Sequence, residues 1–177
     1  MKGKIIFKET QKFNKYILYF AVFFTVFFLL GPIYYGAWQQ LVIGEPWGNE
    51  PMSDNGILLL CIVLTVFVIA IFTFIYIHKL VVEIDEGTIR YYFFPYFGSF
   101  RSVPKEKLKK AYVRKYRPVL EYGGWGYRWG FHKGKAYNIW GKWGLQLEFE
   151  NDKKLLLGTQ KPKELESAIT QWIGKER

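Results

Sequence analysis

Residue types that commonly carry catalysis or metal binding are scarce in this chain. Its 177 residues include one cysteine, Cys61, and two histidines, His78 and His132. A single thiol excludes an intrachain disulfide and a cysteine-based metal site. The histidines lie far apart, with no carboxylate or cysteine at metal-ligand spacing, so they read as surface or interfacial residues and no metal or cofactor is expected. A nucleophile elbow, a phosphate loop and a Ser–His catalytic pattern are missing as well. Acidic residues are in deficit, 15 against 25 Lys and Arg, for a net charge of +10.

Charge of either sign is absent from two stretches. Residues 16–38 and 57–77 are apolar throughout, and at about 1.5 Å rise per helical residue each reaches the roughly 30 Å of a bilayer core. Core helices of that length normally keep a polar face, and a cleaved signal peptide would be shorter and end in a small-x-small site. Both stretches are therefore expected to be transmembrane helices, the first kinked at Gly31 and Pro32. Thr25, Thr65 and Thr73 are expected to hydrogen-bond and pack between them. With no charged residue in either span, a transport path is not indicated.

Lys2, Lys4, Lys8, Lys12 and Lys15 crowd the first 15 residues, whereas the loop 39–56 carries Glu45, Glu50 and Asp54 with no Lys or Arg. The positive-inside bias places that loop outside and both termini in the cytoplasm, giving a multi-pass plasma-membrane protein. Trp38 and Trp47 suit the outer interface as anchors. The expected organisation is a basic segment (1–15), a helical hairpin (16–78) and a cytoplasmic domain (79–177).

The last of these has the period-two pattern of half-buried strands. Leu80, Val82 and Ile84 alternate with polar residues, Asp85, Glu86 and Gly87 make a turn, and 89–94 runs back to a stop at Pro95. Residues 97–104 and 107–118 read as further strands, the latter with Leu108, Ala111, Val113 and Tyr116 inward. Residues 126–141, His132 among them, offer one or two strands. Leu145, Leu147 and Phe149 face one way and Gln146, Glu148 and Glu150 the other, before a turn at Asn151 and Asp152. A C-terminal helix follows, with Pro162 in its first turn, Leu165, Ala168, Ile169 and Trp172 on one face, and Lys175 and Arg177 near its end.

Three words in this region carry a resemblance: YGGWGYR at 122–128, AYN followed by a glycine within 136–141, and LGTQKPKEL at 157–165. On them the chain resembles bacterial membrane proteins in which a two-helix hairpin precedes a pleckstrin-homology-like domain. The resemblance implies a transmembrane α-hairpin joined to a mainly-β, partly open barrel of about seven antiparallel strands capped by a C-terminal helix. It supplies no catalytic residue. Lipid-binding members of the wider superfamily hold phosphoinositides with basic residues at the first hairpin turn, where this chain has Asp85 and Glu86, so no such site is expected.

Within the glycine-rich stretch, Gly123, Gly124 and Gly126 are expected to supply positive-φ and bulge positions, with Trp125 folded beneath the loop and Arg128 donating to loop carbonyls. A phosphate cradle is the alternative, although it calls for a helix start after the loop. Around this loop stand Arg114, Lys115, Arg117, Arg128, Lys133, Lys135 and Lys142 with Trp129, Trp140 and Trp143, a set suited to an anionic leaflet or a protein partner. A solvated basic surface over core tryptophans explains the same residues. Glu148 and Glu150 read as an outward polar face rather than an acid/base pair.

The expected role is a membrane-anchored, non-enzymatic interaction module. Its partners would be a protein, a second copy of the chain or anionic lipid, with nucleic acid disfavoured by the tether and by the lack of a recognition motif. The alternatives are an accessory subunit of a transporter or envelope-stress complex and an uncharacterised enzyme.

Overall fold

The computed structural model describes residues 4–174; Lys2, Lys175 and Arg177, which figure in the charge reading above, lie outside them. The chain divides into two compact units, Asn14–Tyr76 and a second formed by the segments before and after it.

The first unit is helical. Helix α1 (Lys15–Ile43) and helix α2 (Asp54–Ile77) are both long and apolar enough to cross a membrane. Helix α1 overruns the expected end at residue 38 because Leu41, Val42 and Ile43 continue its apolar run, until Gly44 takes φ 84° and stops it. It stays helical through Pro32, with a π turn at Val26–Leu30 just ahead of it in which the Gly31 N–H reaches the Val26 carbonyl. That wider turn accommodates the proline ring and its missing donor. Helix α2 also begins before residue 57, with Ser53 Oγ accepting from the Gly56 N–H. The two helices meet at buried Ala37, Ile57 and Cys61. Of the three threonines, Thr65 makes the expected polar link, its Oγ1 lying 2.7 Å from the Tyr34 hydroxyl while also donating to the Cys61 carbonyl. Trp47 folds back onto Gly36, where any Cβ would collide with the indole; Trp38 is half exposed.

Among the described residues, the second unit holds nine strands in two sheets. Sheet A runs β1 (Phe7–Lys12), β2 (Lys79–Ile84), β3 (Thr88–Phe94) and β4 (Arg101–Pro104) in that order. Sheet B comprises β5 (Leu108–Lys115), β6 (Gly126–Gly130), β7 (Gly134–Asn138), β8 (Trp143–Phe149) and β9 (Lys154–Thr159), ordered β5-β8-β9-β7-β6. A short helix α3 (Pro118–Tyr122) leads into the glycine loop, and α4 (Pro162–Gly174) closes the chain. The apolar face of α4, Leu165, Ala168, Ile169 and Trp172, joins Leu80, Phe93, Leu145 and Leu157 in one core between the sheets.

Three expectations need correction. Among the described residues, 79–177 hold eight strands rather than about seven, a ninth, β1, comes from ahead of the helices, and together they form two sheets. They are not all antiparallel, since β7 lies parallel to β9 with Lys135 opposite Leu155. His132 sits in the β6–β7 turn with φ 57°, not in a strand.

Strand β1 accounts for much of the difference. It precedes the helical unit yet pairs with β2, which follows it, Lys12 opposite Lys79 and Phe7 opposite Ile84. Its inward residues are Phe7, Glu9 and Gln11, all buried, so it shows no apolar alternation. Burying a carboxylate and an amide demands partners. The Glu9 carboxylate accepts from the Thr159 hydroxyl at 2.7 Å and the Gln160 N–H at 2.8 Å, and Gln11 Nε2 donates to the Gly158 carbonyl at 2.6 Å. The GTQ of the third sequence word is thus the receptor for the first strand.

Candidate binding surface and inter-sheet cavity

Helix α3 is bounded by signals legible in the sequence, Pro118 in its first turn and Gly123 at φ 71° beyond its end. The loop that follows is tied down at every glycine in question. The Gly123 N–H donates to the Val119 carbonyl, Gly124 N–H to the Pro118 carbonyl and Gly126 N–H to Asn138 Oδ1. Those amides are spent on the fold, which leaves them no donor for a phosphate. Gly124 and Gly126 take φ 121° and 108°, as the positive-φ reading expects. Trp125 is half-buried, stacked on Trp140 and donating Nε1–H to the Gly141 carbonyl, while Arg128 Nε donates to the Trp125 carbonyl. Asn138 also donates to the buried Tyr116 hydroxyl, and its Cβ lies against Gly158, so residues of all three sequence words meet around it.

The basic residues singled out by sequence separate into different settings. Arg114 faces neighbouring side chains, with Nε donating to Gln146 Oε1 at 3.0 Å and a terminal nitrogen 2.8 Å from the Glu121 carboxylate. Burial works against its charge, but the bond to Glu121, the Glu121 charge and the Tyr122 hydroxyl together hold its pKa above the ordinary value. For Glu121 burial likewise opposes ionisation, and the Arg114 bond and the Arg117 N–H bring its pKa below the usual carboxylate value. Arg114 is therefore a brace between β5 and α3. Lys115, Arg117 and Lys142 stand exposed around α3, where they line a shallow depression of about 500 Å³.

The same region displays apolar residues that sequence reasoning passed over. Val119 and Leu120 of α3 are 62% and 76% exposed, and Phe131 in the β6–β7 turn is 88% exposed. The turn lies beside α3, because Gly130 packs against the Glu121 carbonyl and the Tyr122 hydroxyl donates to the Lys133 carbonyl. Val119 and Leu120 line the depression together with Lys115, Arg117 and Lys142, and the adjoining turn adds exposed Phe131 and Lys133, so this side of the domain mixes apolar and cationic side chains. A Pro and a Gly five residues apart were the available signal for α3, and they fix which of its residues face out. Trp140 and Trp143 are exposed nearby in sequence rather than buried as core residues.

Trp129 and Lys135 fall elsewhere. They are direct partners across β6 and β7, and both line a cavity of about 650 Å³ with Tyr91 and Arg101 of sheet A and Tyr137 and Leu155 of sheet B. Sequence reasoning missed this group because its members come from five strands.

A family model described as "Family of unknown function (DUF6141)" matches residues 2–175. No curated protein and no solved structure matches the chain.

Proposed function

The chain belongs to that family of unknown function, so its role has to come from its own residues, and we propose that it is a membrane-anchored, non-enzymatic interaction module that docks on the anionic inner leaflet. The observation that carries this reading is that exposed Val119 and Leu120 line one depression with exposed Lys115, Arg117 and Lys142, next to the turn that carries exposed Phe131 and Lys133. Each cation near an anionic surface contributes about 1 kcal/mol, and each apolar side chain taken out of water adds to it. Because α1 and α2 tether the domain, modest attraction suffices to set its orientation.

Connectivity supports the membrane assignment. The chain leaves sheet A at Lys12 and re-enters it at Lys79, directly opposite. A bilayer crossed by α1 must then be crossed back by α2, with the segments before and after them on one side. The lysines ahead of α1 and the acids of the α1–α2 connection support the cytoplasm as that side. Two facing sheets with α4 packed on β5, β1 and β8 support a pleckstrin-homology-like arrangement.

The test is an environment-sensitive dye on Leu120→Cys in a Cys61→Ser background, read in the full chain reconstituted into vesicles. In phosphatidylcholine containing phosphatidylglycerol the dye shifts to the blue, and salt or the combined Lys115→Gln, Arg117→Gln and Lys142→Gln changes reverse the shift. An identical spectrum in neutral and acidic vesicles would sink leaflet docking.

A further inference from the structure

The inter-sheet cavity is built unlike the surface patch. Its volume of about 650 Å³ falls in the range of small-molecule sites. Toward the interior stand Tyr91 and Tyr137, ring centroids 5.5 Å apart and both buried. Burial raises the pKa of each hydroxyl, so both remain protonated and able to donate.

Around the opening are Arg101, Lys135, Lys153 and Lys154, with Asp152 as the one carboxylate of the lining. Among the described residues none of those four cations forms an ion pair within the chain; Asp152 is approached instead by Lys109, at 3.9 Å. Arg101 is nevertheless held in place. Its guanidinium lies 3.7 Å from the centre of the Phe97 ring, and Arg101 stands directly opposite Tyr91 in the β3–β4 ladder. Stacking fixes a guanidinium while leaving most of its N–H fork available, the arrangement that suits a planar or tetrahedral anion.

Beside these cations the lining turns apolar. Trp129 shares the cross-strand pair with Lys135 and leaves 80% of its surface exposed, next to Phe149 and buried Leu155. An indole left open beside an apolar wall gains free energy from any flat or aliphatic group laid over it.

We infer that this cavity binds an organic anion, its phosphate or carboxylate head held by Arg101 and Lys135 and its apolar body resting on Trp129 and Leu155. The acidic turn at Asp85 and Glu86 is not part of the site, and the lining shares no residue with the patch around α3. Leaflet docking and ligand capture therefore stand or fall separately. An acidic lipid and a soluble aromatic phosphate present the same chemistry to these residues.

The test is calorimetric titration of the full chain in nanodiscs of neutral lipid, with four probes: dihexanoylphosphatidic acid below its micelle concentration, phenyl phosphate, dihexanoylphosphatidylcholine and inorganic phosphate. At least one of the first two gives a saturable one-to-one isotherm, and which one identifies the source as lipid or soluble metabolite. Phosphatidylcholine lacks the net charge and inorganic phosphate lacks the body, so both bind roughly tenfold or more weakly. Arg101→Gln and Lys135→Gln each weaken the acid probe by about tenfold or more, whereas Lys163→Gln on α4 leaves it unchanged. Thermal unfolding checks that each variant is folded; Lys135 is exposed on its strand, so Lys135→Gln carries the test if Arg101→Gln does not fold. No saturable binding of either acid probe overturns the assignment. So does equal binding of phosphatidylcholine or inorganic phosphate, or wild-type affinity in a folded Arg101→Gln or Lys135→Gln chain.

Discussion

Phe67 and Phe93 are the same side chain in opposite settings. Phe67, in the middle of α2, is 59% exposed, whereas Phe93, in β3, is 0% exposed. The contrast holds across both units: Phe20, Phe23 and Phe27 point outward from α1, while Leu80, Leu145 and Leu157 face inward between the sheets. Each large apolar side chain left in water forgoes about 1.5–3 kcal/mol, and this exposure runs along the two helices that are long and apolar enough to cross a membrane. Polar groups invert the pattern. The β unit buries Glu9, Gln11 and Asn138 and gives each a hydrogen bond, because these groups fix which strand pairs with which.

The largest effect expected from pulling this contrast apart comes from dividing the units. Since Lys12 and Lys79 are ladder partners, residues 14–77 can be replaced by a two-residue turn joining Phe13 to His78. That chain should be soluble, monomeric on size-exclusion and cooperative on heating. A chain that simply begins at Lys79 loses β1, opens the edge of β2 and leaves the Thr159 hydroxyl and Gln160 N–H without Glu9. It should aggregate or unfold tens of degrees lower; equal melting temperatures for the two would refute the role assigned to β1.

A smaller effect compares the two phenylalanines directly. Phe93→Ala should destabilise the β unit by about 3–5 kcal/mol through the cavity it leaves, whereas Phe67→Ala should change stability by about 0.5 kcal/mol or less. Denaturant titration of each in the same detergent measures both. A Phe67→Ala cost matching that of Phe93→Ala would mean that protein, not lipid, covers that face.

The smallest effect is a pH response confined to the β unit. Burial, only partly offset by the Asn138 bond, pushes the Tyr116 hydroxyl up to about 12 from an ordinary 10.0. A group whose folded pKa is raised contributes stability in full below its unfolded pKa and loses it as pH rises through the folded one. The advantage of wild type over Tyr116→Phe should therefore be constant below pH 10 and fade toward pH 12. Tyr91, Tyr122 and Tyr137 shift in the same direction, so alkali should unfold the β unit before it disturbs the helices. A gap between the two chains that widens above pH 10 would contradict that assignment.

How legible each part was depended on the range of the interaction that forms it. The face of α4 and the 79–94 hairpin were plain because their apolar residues recur at the helical and strand periods within a dozen positions. Strand β1 was opaque, since its inward residues are a phenylalanine, a glutamate and a glutamine whose partners lie near residue 159. The parallel pairing of β7 with β9 is likewise non-local, and no turn announces it. Of the candidate surface, Lys115, Arg117 and Lys142 were found by charge alone. Charge groups Arg114 with them but does not show that a short helix, marked by Pro118 and Gly123, brings Glu121 to it. The cavity could not be seen at all, since Arg101 and Lys135 become neighbours only when two sheets face each other.

Strand β1 also imposes an order of assembly. A ribosome releases its residues first and their receiver at Gly158 to Gln160 almost last, with both hydrophobic rods made in between. Until then the nascent amino end has to wait unpaired, a slow long-range closure that cannot finish before both rods have been made.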